Sequence, residues 1–105
     1  VAQVHVSVAA ASDLRSIGLY TEKTWGRAQR RKYLSGIDQK MKFLSENPKI
    51  AALRTDYTPS VRIHPHEYHL IVYQDVEDGI LVVRVLHRNM DTRAHLSATG
   101  QGDSN

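Results

Sequence analysis

Two groups of residues in this chain have the types and the spacing to do chemistry. Arg62, His64 and His66 stand two apart, so on an extended backbone their side chains share a face until Pro65 disturbs the pleat, and His69 follows closely. Imidazoles in that pattern could hold a metal ion. No Asp or Glu is clearly placed as a third ligand, however, so imidazoles on an exposed edge strand are the preferred reading, and neither a metal nor another cofactor is expected. The second group is Arg84, His87, Arg88 and His95. Phosphodiester cleavage needs a base, an acid and cations for the charge that builds on the phosphorane, and Arg62, Arg84, His87 and His95 are the residues that could supply them. Strand alternation works against this set, because position 84 faces away from 85 and 87. Arg84 also sits between apolar neighbours, which favours a buried ion pair with Asp91, Asp56 or a helix acid.

The element that positions the second group is the stretch Ile80-Leu-Val-Val-Arg-Val-Leu-His87, whose aliphatic run predicts a central strand covered on both faces. It follows a turn at Glu77-Asp78-Gly79 and a strand over 68–73, so the two make a hairpin. A shorter strand over 61–64 ends at Pro65. Upstream, Val4, Val6 and Val8 alternate with polar residues as a half-buried strand does, and Ser12 or Asp13 offers a cap to a first helix. Leu14, Ile17, Gly18, Thr21 and Trp25 form its core stripe, with Gly18 allowing a close approach and Tyr20 at the margin. Trp25-Gly26 marks a break. A second helix then buries Tyr33, Leu34, Ile37, Met41 and Leu44, leaves Phe43 off the stripe, and stops at Asn47-Pro48. Trp25, Tyr33 and Tyr73 are expected to pack in the core, while Tyr20 and Phe43 are better placed to meet a partner. Residues 49–60 read as a loop. The order β-α-α-β-β-β segregates strands from helices, so the expected class is α+β, an antiparallel sheet packed against an αα-hairpin.

The 105 residues fit a single domain, taken as residues 1–97, with a polar tail over 98–105 expected to be disordered. The absence of cysteine excludes disulfide scaffolds, thiol nucleophiles and thiolate metal sites. No apolar run approaches the ~18 residues of a membrane span and no basic-then-apolar leader opens the sequence, so a soluble, cytoplasmic protein is expected. The formal charge is +3, with three arginines and a lysine between Gly26 and Lys32 and no acid among them. Such a run suits an acidic partner as well as nucleic acid.

In order and spacing the residues resemble one family. The landmarks are Asp13-Leu14-x-x-Ile17-x-x-Tyr20, Trp25-Gly26-x-x-Gln29-x-x-x-Tyr33, Leu44-x-x-Asn47-Pro48, Val61-Arg62, Leu70-Ile-Val-Tyr73 and the closing Ile80-to-Asp91 run. Together they resemble the ParE branch of the RelE/ParE superfamily of toxin–antitoxin toxins, over Val4 to about Leu96. That resemblance implies the sheet-and-hairpin fold, poisoning of DNA gyrase, and silencing by a ParD-like antitoxin, with DNA reached only through the antitoxin complex. The partner surface expected for such an antitoxin, read from the stripe margins and the basic runs, takes in Tyr20, Trp25, Arg30, Arg31 and Phe43. Arg62, Arg84, His87 and Arg88 complete the set. The RelE-type relatives instead cut mRNA on the ribosome; here lysines end at Lys49 and no tyrosine follows Tyr73, so that nuclease set is incomplete. A binding activity is therefore preferred to an enzymatic one.

Overall fold

Ser7 decides where the helices begin. In the computed structural model, which describes residues 1–96, its hydroxyl accepts from the Ala10 amide at 3.0 Å and donates to the Val83 carbonyl at 2.9 Å. One side chain thus caps the helix and ties it to the sheet. The first strand, β1 (Gln3–Val6), is cut short, and α1 (Val8–Trp25) starts well before the cap expected at Ser12 or Asp13. Val8, read from its alternation as a buried strand residue, instead opens α1 and is exposed. Of the β1 valines, Val4 packs on the core.

Along α1, Ile17, Gly18 and Thr21 are buried as the stripe predicts, but Trp25 is 70% exposed. The correction has a simple cause: a helical stripe records angle alone, and Trp25 is the last helical residue, where the chain turns away. Gly26, with φ of 95°, makes that turn and donates its amide to Glu22 O at 2.8 Å. The second helix, α2 (Arg27–Glu46), returns alongside α1 and buries Ile37, Met41 and Leu44. A Cβ on Gly18 would meet Arg30 Nε at 3.0 Å and Leu34 Cδ1 at 3.1 Å, so its missing side chain admits α2.

After a 3-10 turn (Pro48–Ile50) come β2 (Leu53–Arg54), β3 (Val61–His66), β4 (His69–Val76) and β5 (Gly79–His87). The sheet order is β1-β5-β4-β3-β2, with β2 to β5 antiparallel and β1 parallel to β5. The expected α+β class is thus the observed one, with an extra two-residue strand inside the expected loop and a parallel pairing at one edge. Pro65 does not end β3; it pairs with Leu70. Because β2 pairs only with Val61 and Arg62, β3 has no outer neighbour at Pro65, and the missing amide is tolerated there.

β5 is covered on both faces, as its composition predicts. Ile80, Val82 and Val85 join Ile71, Tyr73 and the helical Ile37, Met41 and Leu44 on one side. Val72 and Leu86 join Val61 and Leu96 on the other. A register shift between Val72 and Tyr73 inserts an extra residue into β5, which is why Val82 and Val85, three apart, face the same helices. The predicted tail over 98–105 lies outside the described residues.

Candidate functional site

Three histidines form a row at one end of the sheet. The two-residue turn at Glu67 and Tyr68 pairs His66 with His69, and the β4–β5 register pairs His69 with His87. Tyr33 of α2 comes down on the row, its ring centroid 6.1 Å from His66 and 5.5 Å from His69, while His69 meets His87 edge-on at 5.4 Å. Gly36, one helical turn on, leaves room for His66, whose Nε2 lies 3.4 Å from where a Cβ would be. The Tyr33 hydroxyl accepts from the Tyr68 amide at 3.3 Å and is hydrogen-bonded to His69 Nδ1 at 2.6 Å. Burial, helped by His87 and His66, holds the His69 pKa down to about 4, so its ring is neutral near pH 7. Burial likewise raises the Tyr33 phenol and lowers His64 and His66. Among the described residues, no group of three or more His, Cys, Asp or Glu side chains is arranged to hold a metal ion.

Two members of the row, His69 and His87, line an open groove of about 920 Å³ between the helical hairpin and the end of β5. It is lined by Ile17, Tyr20, Thr21 and Trp25 of α1, Gln29 and Tyr33 of α2, and Tyr68 and Met90 beyond the ends of the strands. Tyr20, Trp25 and Tyr68 are 69%, 70% and 67% exposed, an aromatic grouping of the kind found at interaction surfaces. Residue types alone placed Tyr33 in the core, which it borders, and read the histidines as imidazoles on an exposed edge strand; it was the turn at 67–68, pairing 66 with 69, that could have located the row.

The arginines expected at the site are engaged elsewhere. Arg62 is 8% exposed, with Nε and Nη2 donating to the Asp75 carboxylate at 3.0–3.2 Å and Nη1 to Ala51 O at 2.7 Å. Arg84 donates to both Asp13 oxygens at 2.8 and 2.9 Å. Asp13, the supposed helix cap, is therefore the helix acid that Arg84 requires, and it also accepts from the Val85 amide at 2.9 Å. Asp56 belongs to Arg54 and Arg93, which hold its carboxyl well below the usual range. Arg30 reaches Glu22 at 2.9 Å, while Arg31 and Arg88 are exposed. Phe43, 40% exposed and beside Lys40, is not among the groove residues that gather Tyr20 and Trp25. His95 bonds Asp91 O at 2.8 Å in a helical turn over 92–96, whose Leu96 packs on the far face of the sheet. Of the residues named for cleavage, His87 alone lines the groove.

A family described as the ParE toxin of the type II toxin-antitoxin system, parDE, matches residues 4–92. The chain belongs to the ParE toxin family. It is 30% identical over 89 residues to Toxin ParE of Escherichia coli, covering 84% of this chain and 86% of that one. Toxin ParE1 of Caulobacter vibrioides is 29% identical over 87 residues, covering 83% and 90%. A solved structure described as the chromosomal ParDE TA system from P. aeruginosa shares the fold, with a TM-score of 0.70 at 20% identity over 82% of this chain and 95% of that chain. The ParE match spans the groove from Ser16 to Met90.

Proposed function

We propose that this ParE-family chain is a toxin that binds and poisons DNA gyrase, and that a cognate ParD-like antitoxin silences it by docking in the aromatic groove. DNA is then contacted through the antitoxin complex. The observation that carries the reading is the contrast between the two kinds of candidate residue. Arg62 and Arg84, the cations a phosphoryl-transfer site would need, are bound to Asp75 and Asp13 inside the chain. Tyr20, Trp25, Tyr68 and Met90 stand exposed around one groove. That combination suits recognition better than cleavage. Among the described residues no helix is long and apolar enough to cross a membrane.

The test is to incubate the purified protein with gyrase, ATP and relaxed or supercoiled plasmid. Inhibited supercoiling with trapped, cleaved DNA is expected, relieved by the antitoxin encoded beside the gene. Active gyrase without cleaved DNA would overturn the proposal. Mapping mRNA ends on stalled ribosomes, with His87→Ala as the control, reads out the ribonuclease alternative in the same preparation.

A further inference from the structure

Helical spacing sorts the residues of α2 by direction. Arg30 and Leu34 face Gly18 of α1, while Ile37, Met41 and Leu44 face the sheet. Gln29, Tyr33, Gly36, Lys40 and Phe43, at steps of four and three, fall on the flank beyond that core stripe and away from α1. β3 meets this flank. Gly36 leaves room for His66, Tyr33 stands 6.1 Å from the same ring, and the Lys40 charge is felt at both His64 and His66. Tyr33 also lines the aromatic groove, so groove and flank are continuous through its ring. From there the flank runs on for ~15 Å to Phe43.

The far end of the flank carries an uncovered ring and an unpaired cation. Phe43 is 40% exposed, with Lys40 Nζ 5.3 Å from its centroid. Among the described residues Lys40 has no carboxylate partner, whereas Lys42 is paired with Asp38 at 3.2 Å. Glu67 lies at the other end, next to the groove, where it acts on Tyr33 and His66 from the turn. The neighbouring edge of β3 is poorly made for an added strand, because β2 stops at Arg62 and Pro65 has no amide to give. A chain lying here is held by side chains.

We propose that the antitoxin segment in the aromatic groove continues past Tyr33 along this flank, setting a carboxylate against Lys40 and an apolar side chain against Phe43. This rests on the docking proposed above and adds a second stretch of surface to it. Size supports the continuation: eleven residues line the groove, and a stable protein–protein interface uses roughly 20 to 30 a side. Charge supports the occupant. The helical residues of the flank include Lys40 and no acid, so an acidic segment is favoured there, and Glu67 turns its carboxylate toward the Phe43 end and away from the groove. Pairing of the flank with a second copy of this chain would set lysine against lysine.

Calorimetry of the full chain with the antitoxin encoded beside the gene, at low and high salt, tests this. Lys40→Glu is expected to weaken binding about thirtyfold, Phe43→Ala about tenfold, and Lys40→Met about fivefold with a flatter salt dependence. Thermal melts check that each variant folds. Independently of those losses, one Asp→Lys or Glu→Lys change in the antitoxin should restore binding to Lys40→Glu. Wild-type affinity in both Lys40→Glu and Phe43→Ala overturns the proposal. So does loss of gyrase poisoning in them with antitoxin binding intact, which would give the flank to the target. If no antitoxin acid variant restores binding to Lys40→Glu, the ion pair is wrong and the proposal falls with it. Tyr20→Arg separates the two readings. If it abolishes binding while the α2 variants bind as wild type does, the groove is the docking site and the continuation is wrong; if the antitoxin binds it as tightly as wild type, the docking reading fails and this proposal with it.

Discussion

Removing the Asp13 carboxylate is expected to loosen α1 from β5 by more than the weight of a surface ion pair. Asp13 accepts from Arg84 Nε and Nη2 and from the Val85 amide, and the two side chains are only 15% and 18% exposed. Asp13→Ala therefore leaves a guanidinium and a strand amide without this acceptor where water reaches them poorly. Breaking one partner of a fully buried pair costs ~3–5 kcal/mol; the residual exposure here lowers that to about 2–4 kcal/mol. For a domain of this size, ~3 kcal/mol corresponds to a fall in Tm of roughly 12–24 °C. Arg84→Met alone should cost less, about 1–2 kcal/mol, because an isolated carboxylate on a helix rehydrates more easily than a guanidinium under the strand. The double variant Asp13→Leu with Arg84→Met should recover most of the loss, since an apolar pair replaces a desolvated one. Urea unfolding followed by far-ultraviolet circular dichroism is the assay; Trp25 is too exposed to report on the core by fluorescence. The coupling energy from the four-variant cycle is expected to be about 2 kcal/mol. A coupling near zero, or growth arrest lost in a double variant that still folds, would refute the assignment of Arg84 to structure.

Three further outcomes follow from other parts of the molecule. Gly79→Ala should detach β1: with φ of 157° and the Gln3 carbonyl and amide pressed against it, any Cβ collides with backbone, and a loss of about 2–4 kcal/mol is expected in denaturant titration. Stability should also fall with acid below the ordinary histidine value of 6.5. The folded state binds its His69 proton only near pH 4, so the unfolded chain holds more protons in between and gains on the folded one as pH drops from 6.5 to 4. With solvent screening the effect is roughly 1–2 kcal/mol, and His69→Gln should remove it from a pH series of urea melts. Trp25→Ala, at a site 70% exposed, should change stability by less than about 0.5 kcal/mol and weaken antitoxin binding about tenfold or more, measured by calorimetry.

Local rules were enough for much of the chain. The helical period of Ile37, Met41 and Leu44, the Gly26 break, the Asn47-Pro48 stop and the two-sided burial of β5 depend on neighbours a few residues away, and all are present in the fold. The need of Arg84 for an acid was also legible, since an ionised group in an aliphatic strand must be paired. The acid itself was not, because Asp13 lies 71 residues away and its local context reads equally well as a helix cap.

What tertiary structure alone decided is which residues of distant elements face each other. The parallel docking of β1 on β5, the exposure of Trp25 and the meeting of Tyr33 with His69 each join segments that share no local pattern. Periodicity gives the angle of a side chain about its own axis, but not where that axis ends relative to its neighbours. The groove exists because α1 carries Trp25 to its last turn, where the chain leaves the sheet, and that position is set by how whole elements pack.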